Sequence, residues 1–345
     1  MEWRLYGTVN MDIGRIGILG SGSWATALAK ISLESTPEIN WFVRRDDQVQ
    51  RFKATGHNPD YLSSAAFDPE RITFYTEGSI NPFFRNSDTI ILVTPSPYIK
   101  HYLKKVKRSS MRGKLVINAI KGIVPDENLL VSEFLIKEFS LPKEQIGVVS
   151  GPCHAEEVAQ ERRSYLTTGA YSSELAHLMA DTLSCDYITC TTSDDVVGIE
   201  FASVLKNIYA IAAGICNGLN YGDNFQSVLI SNAIAEMNSF VNTVHLLNNR
   251  VITNSVYLGD LLVTAYSNYS RNRTFGTMIG KGYSVKAAQV EMEMVAEGYY
   301  GAKCVRELNT TRYRVNMPIM DAVYEILYNK QSAKETIERL SLKFR

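Results

Sequence analysis

The chain of 345 residues has no excess charge of either sign, with 36 lysines and arginines against 36 aspartates and glutamates spread along it. Without a basic tail or stripe, it lacks the electrostatic footprint of a nucleic-acid binder or of a protein held on an anionic membrane. Cysteine is sparse. The five present (Cys153, Cys185, Cys190, Cys216 and Cys304) form no CxxC pair and are odd in number, so they read as reduced thiols and point to the cytoplasm. The five histidines are equally scattered, and no metal site is visible. The opening residues, MEWRLYGTVNMDIGRIGIL, lack the basic-then-apolar pattern of a signal peptide. No charge-free run approaches the ~20 residues needed to span a bilayer, which argues against stable membrane insertion. Internal repeats and low-complexity segments are absent as well. Because Met11 immediately precedes the first strand-like run, residues 1–10 are expected to be an extension outside the fold.

What is present is a chain long enough for two domains. Residues 15–19, RIGIL, read as a strand, and GSGSWATALAK at 20–30 as a tight turn entering a helix. This is a GxGxxA string in the context that gives it meaning for dinucleotide binding. Gly20 allows the turn, Gly22 lets the backbone approach a pyrophosphate, and Ala25 keeps helix and strand close. The second strand, INWFV, ends at Arg44 and Arg45. That position reads the adenosine ribose, and arginines there suit a 2′-phosphate. Asp46 and Asp47 follow at once, and two solvated arginines are the competing reading, so NAD and NADP both stay open. Further strand-like runs at Ile72–Tyr75, Thr89–Val93, Leu115–Asn118 and Ile146–Ser150 alternate with helix-compatible segments, which predicts a largely parallel sheet. Ligands bind such sheets at the carboxyl ends of the strands. There lie Thr94-Pro95-Ser96, Lys121-Gly122 and Gly151-Pro152-Cys153-His154-Ala155. Lys121 is either a solvated loop lysine or a group at the edge where nicotinamide and substrate meet.

After Tyr187–Thr192 helical periodicity takes over. The expected organisation is α/β: a Rossmann-like dinucleotide-binding domain at 14–193 and an all-α substrate domain at 194–345. The second half opens with a helix from Ile199 to Cys216 that is apolar almost all the way round, yet carries Lys206 and Asn207 in its middle. A lysine so placed loses hydration, which lowers its pKa. It is either a catalyst or one side of a structural ion pair, with Glu200 or a distant carboxylate as partner. An amphipathic helix is expected from Phe225 to about Leu247. Beyond it, Asp260 and Thr264 lie four apart in an apolar helix and share a face. Asp260 has no basic residue at i±3 or i±4, which makes Lys206 the obvious partner. Ser270-Arg271-Asn272-Arg273 suits a phosphate dianion, with the serine capping the next turn; an exposed charged helix start is the plainer reading. The methionines of VEMEMVAEG read as core packing, and Glu297 is ambiguous.

Taken together, GSGSWATALA, VTPS, NAIKGI, SGPCHAEEVA, FASVLKNIYAIAAGICNGLNYGDN, SRNR and AEG occur in the order seen in NAD(P)-dependent glycerol-3-phosphate dehydrogenases. The chain resembles the bacterial branch of that family over residues 14–330. The resemblance implies reversible hydride transfer between NAD or NADP and a small phosphorylated substrate, and supply of glycerol 3-phosphate for glycerophospholipid synthesis by a possible homodimer. It implies Lys206 as proton donor and acceptor, Lys121 at both substrate and nicotinamide, and Asp260 and Thr264 as groups that orient Lys206 and substrate. Substrate contacts fall on Gly151, Cys153, Asn207, Ser270, Arg271 and Asn272. Cofactor contacts fall on Gly20, Ser21, Gly22, Ser23, Trp24, Arg44, Arg45, Tyr61, Lys121, Ala155, Arg271, Val295 and Glu297. The chain departs from the family pattern at Ala25, at Ser63-Ser64 after Tyr61-Leu62, at WFVRR and at TAYS over 264–267. Two alternatives are another Rossmann-plus-helices dehydrogenase of hydroxyacid or ketopantoate type, and a catalytically silent NADP(H) sensor. The sensor predicts erosion of Lys206, Asp260, Thr264 and Arg271, all of which are present.

Overall fold

The structure, a computed structural model, describes residues 11–292 and 295–344; the expected N-terminal extension, Glu293 and Met294 lie outside these. Eight short strands form one sheet: β1 (Ile16–Leu19), β2 (Ile39–Phe42), β3 (Ile72–Tyr75), β4 (Thr89–Leu92), β5 (Leu115–Asn118), β6 (Ile146–Ser150), β7 (Ser164–Ala170) and β8 (Ile188–Ser193). Their order is β3-β2-β1-β4-β5-β6-β7-β8. All pairings are parallel except β6 with β7. Successive strand residues point to opposite faces, so Ile18, Trp41 and Ile117 enter one core while Leu19, Phe42 and Val116 enter the other. With both faces covered, the inner strands must be largely apolar, as the IGIL and TIIL runs are.

The strand β7 is not among the expected runs. Its sequence, SYLTTGA, has few β-branched aliphatics, yet most of it is buried. Its threonines are satisfied from outside: Thr167 Oγ1 lies 3.0 Å from Thr191 Oγ1 on β8, and Thr168 Oγ1 donates to the Ala176 carbonyl at 2.8 Å. Such partners exist only once β8 has paired and the helix Ser173–Leu183 has docked.

The apolar helix of the second half runs from Val196 to Gly218, longer at both ends than expected, and is buried without a break from Gly198 to Cys216. Asp195 starts it, its carboxylate accepting from the Gly198 N–H at 3.0 Å. By length and composition this helix could cross a membrane, but 94% of its most apolar window is buried inside the protein. It is the axle of a helical core. The helices Asp223–Val244, Asp260–Tyr266, Arg271–Gly280, Glu297–Leu308 and Pro318–Tyr328 all pack on it. Asp260 opens its helix after a π-helical turn, Ser255–Gly259. Met292 packs against the same core.

The tightest contact is with the Arg271–Gly280 helix, where Gly214 and Gly218 face Gly276 and Gly280. A Cβ on Gly276 would lie 2.1 Å from the Ile211 carbonyl oxygen, and one on Gly214 2.1 Å from that of Arg273. The absence of four side chains lets the two backbones touch and fixes where the Arg271–Gly280 helix begins. Gly276→Ala gains about 0.5–1 kcal/mol of helix propensity but must push the helices apart. A net loss of about 1–3 kcal/mol is expected from overpacking, read as a lower denaturation midpoint in urea. An unchanged midpoint would refute the contact.

Candidate active site

The carboxyl end of β6 and the loop after β5 meet the middle of the central helix, where Ser203 Oγ lies 2.8 Å from Ser150 Oγ and Asn207 reaches the Lys121 carbonyl. The turn after β1 needs Gly20, whose φ is +138° and whose absent Cβ would lie 2.7 Å from the Val93 carbonyl oxygen. Nothing approaches within 4 Å of the position a Gly22 Cβ would take. The helix that follows, Ser23–Ser35, has no side-chain cap, so its first N–H groups are available to an anion. The buried Trp24 Nε1 and Thr94 Oγ1 have no hydrogen-bond partner among the described residues. An open glycine cradle with unsatisfied polar atoms around it fits a dinucleotide. Asn58, which sequence reading missed, holds this cradle. Its amide donates to the Ser21 carbonyl at 3.0 Å and to Thr26 Oγ1 at 2.8 Å, while its oxygen accepts from the Tyr61 N–H at 3.3 Å. Arg44 and Arg45 are exposed past β2. Arg45 is ion-paired with Asp60, and with Asp47 at 3.6 Å.

The central feature is a carboxylate shared by two lysines. Lys206 Nζ donates to Asp260 Oδ1, while Lys121 Nζ lies 3.7 Å from Asp260 Oδ2. Oδ2 also accepts from Ser150 Oγ at 3.1 Å and from the Gly151 N–H at 3.3 Å. Lys206 and Asp260 are 3% and 1% exposed. Burial drives the Lys206 pKa down; Asp260 opposes this and the like charge of Lys121 adds to it. Burial alone would raise the Asp260 pKa, but the charges of Lys121 and Lys206 outweigh it and hold the carboxyl below its usual value. Thr264 Oγ1 turns back to donate to the Asp260 carbonyl at 2.5 Å. Lys121 also lies over the Trp24 ring, 5.3 Å from its centroid, a cation–π contact that joins the glycine cradle to the charged cluster.

Around this cluster runs an amide relay. Asn207 Nδ2 donates to the Lys121 carbonyl at 3.0 Å, Asn272 Nδ2 to Asn207 Oδ1 at 3.0 Å, and the Gly298 N–H to Asn272 Oδ1 at 2.9 Å. Ser270 caps its helix as expected, its Oγ accepting from the Arg273 N–H at 3.3 Å. Arg271 is exposed beside it, and its charge acts on Glu297. Glu297 accepts from the Ser96 N–H at 2.8 Å and from Ser96 Oγ at 2.6 Å, so it bridges the β4 loop to the helical half. Val295 is half-buried just before it, and Ala155 is buried. Cys153 is buried, which pushes its thiol up to about 12 and leaves it protonated, without nucleophilic character. No group of three histidines, cysteines or carboxylates that could hold a metal occurs among the described residues.

Glu200 is not the partner of Lys206. It accepts from Asn118 Nδ2 at 2.7 Å, from the Ser132 N–H at 3.1 Å and from Ser132 Oγ, tying β5 to the central helix. Asn118 Oδ1 in turn accepts from the Ile120 N–H at 2.9 Å, which shapes the loop carrying Lys121.

Family profiles described as the N-terminus and C-terminus of NAD-dependent glycerol-3-phosphate dehydrogenase match residues 15–176 and 195–338. The chain belongs to the NAD-dependent glycerol-3-phosphate dehydrogenase family. It is 32% identical over 333 residues to glycerol-3-phosphate dehydrogenase [NAD(P)+] of Agathobacter rectalis, covering 96% of this chain and 97% of that one. The enzyme of the same name from Bacillus subtilis is 32% identical over 331 residues, covering 94% and 93%. A crystal structure of glycerol-3-phosphate dehydrogenase from Coxiella burnetii superposes with a TM-score of 0.86 at 28% identity, covering 95% and 98%. In this member of the family, Lys121 links the cradle to the two-lysine carboxylate, and Asn207 and Asn272 link that cluster to the Ser270 turn.

Burial raises the Glu200 pKa from 4.5 to about 7, against the opposing bonds from Ser132 and Asn118. The folded state therefore holds this proton more tightly than the unfolded chain does, and stability falls as pH rises from about 4.5 through about 7. Glu200→Gln, a neutral isostere, should remove about 3 kcal/mol of that pH dependence, measured as the difference in unfolding free energy between pH 4.5 and 8. Parallel profiles for the two proteins would show that Glu200 does not titrate in this way.

Proposed function

We propose that the chain catalyses the reversible, NAD- or NADP-dependent interconversion of dihydroxyacetone phosphate and sn-glycerol 3-phosphate. The observation that carries this reading is the pair of lysines on one buried carboxylate, set between an uncapped glycine turn and a capped Ser270-Arg271-Asn272 turn. When bound, the nicotinamide supplies or accepts the hydride. Everything else falls to side chains of this protein. Lys206, its ammonium destabilised by burial, gives a proton to the carbonyl oxygen during reduction and takes it back during oxidation. Lys121 adds positive charge where negative charge develops. Asp260 holds both lysines in place and keeps Lys206 from losing its proton altogether. Ser270, Arg271 and Asn272 receive the phosphate through charge-assisted bonds and free N–H groups. Binding energy gathered there, away from the reacting carbon, fixes orientation. Gly151 and Cys153 line the pocket floor without reacting.

The boundary between the two functional units is placed at 193/194, between β8 and the central helix. The cellular role that fits is supply of glycerol 3-phosphate for glycerophospholipids, by a cytoplasmic homodimer. A hydroxyacid or ketopantoate-type reaction would leave the Ser270 turn without a ligand, and a silent sensor would not need the two-lysine cluster.

Lys206→Ala should abolish turnover while cofactor binding, followed by nicotinamide fluorescence, stays within a few-fold of the native protein. Residual activity above about one part in a hundred would contradict the assigned proton transfer. Because the Lys206 pKa is lowered, the protonated form is lost as pH rises past that lowered value. Reduction should therefore decline with rising pH well below the ordinary lysine range, and oxidation should rise over the same interval.

Cofactor choice rests on Arg44. The charge of Arg45 is already met by Asp60 and Asp47, which leaves Arg44 to meet a 2′-phosphate. Arg44→Ala should raise KM for NADPH about tenfold or more and change KM for NADH little. Equal effects on both cofactors would place Arg44 outside ribose recognition.

A further inference from the structure

His154 is a polar group near the two-lysine cluster that the mechanism above does not use. It leaves β6 in the run Gly151-Pro152-Cys153-His154, where its carbonyl accepts the Glu157 and Val158 N–H groups at 3.0 and 3.1 Å. This fixes the backbone, and the ring is wedged between two parts of the site. It faces the backbone carbonyl of Val263, on the same helix as Asp260, which favours the protonated ring, and its centroid lies 6.1 Å from that of Tyr269, which precedes Ser270. The charges of Lys206, Lys121 and Asp260 all act on it. Yet its Nε2 is buried and has no hydrogen-bond partner among the described residues. Native folds leave few buried polar atoms unpaired, and one beside a charged site is a place for a ligand to complete.

The chemistry of the ring narrows what that partner can be. A backbone carbonyl is an acceptor, so the nitrogen facing Val263 carries the proton. With that proton on Nδ1, Nε2 presents a lone pair. Burial and the two neighbouring ammonium groups hold the ring neutral, with its pKa down at about 4, which keeps Nε2 an acceptor over the working pH range. A phosphate dianion has only acceptor oxygens and cannot satisfy it. Dihydroxyacetone phosphate has a single donor, the hydroxyl on the carbon next to the carbonyl and opposite the phosphate ester.

We propose that His154 binds substrate, its Nε2 accepting a hydrogen bond from that hydroxyl, and that it thereby selects hydroxymethyl ketones over methyl ketones. The inference rests on the function proposed above, and the two can fail separately. The test compares kcat/KM for dihydroxyacetone phosphate with that for hydroxyacetone phosphate, which lacks only the hydroxyl. The native protein should favour the former by about a hundredfold or more, since a site built around a substrate hydroxyl rejects the analogue without it. In His154→Ala the ratio should fall below about ten, mostly by loss on the hydroxylated substrate. His154→Gln, whose amide oxygen can accept in a similar place, should recover part of it. If the alanine variant does not fold, His154→Leu fills the space without an acceptor and carries the same comparison.

An unchanged ratio in a folded variant that still binds cofactor would overturn the proposal. So would equal losses on both substrates together with weaker inhibition by inorganic phosphate, which would make His154 a phosphate ligand. Failure of the native protein to reduce either compound would instead overturn the proposed function.

Discussion

One buried carboxylate organises this molecule. Asp260, 1% exposed, carries Lys206 on one oxygen and faces Lys121, Ser150 and the Gly151 N–H with the other. Taking such charges out of water costs several kcal/mol per ion, and direct attraction returns that only when geometry is good and the remaining lone pairs are filled. Here each partner comes from a different element: the central helix, the loop after β5, the end of β6 and the turn beyond it. The charge cluster is therefore tolerable only when sheet and helices are docked, which couples assembly of the site to completion of the fold.

Two other devices secure that docking. Glu200 commits both oxygens to Asn118 and Ser132, anchoring the central helix to β5 and shaping the loop of Lys121. On the other side, paired glycines bring the Arg271–Gly280 helix into backbone contact with the central helix, so the Ser270 turn sits at a set distance from Lys206. The relay from the Lys121 carbonyl through Asn207 and Asn272 to the Gly298 N–H ties the same three regions together through neutral groups. Reaction chemistry then needs little from any single residue beyond a destabilised ammonium in the right place.

Much of this was legible in the order of residues. A glycine turn between an apolar strand and a small-residue helix suits a pyrophosphate far better than it suits a plain connection, and the sheet's apolar runs are what two covered faces require. A carboxylate with no helical partner, in a chain that also buries a lysine, suggested the Lys206–Asp260 pair from spacing alone. The strand β7 was not legible, because its buried threonines are satisfied by neighbours outside the strand, 24 and 8 positions away. Asn58, Ser150 and Asn118 were not legible either. Single polar residues carry no periodicity, and the groups that their amides and hydroxyl donate to lie between 32 and 110 positions away.

The sequence by itself determined the doubly covered sheet, the apolar axle and the types of group available for catalysis, because composition and spacing decide what can be buried and on which face. Only the tertiary structure decided which charges meet. Whether Lys206 paired with Glu200 or with Asp260 depended on how the central helix is rotated against the sheet. That rotation follows from glycine contacts and side-chain shapes that no local pattern encodes. The same packing left His154 Nε2 buried without a partner.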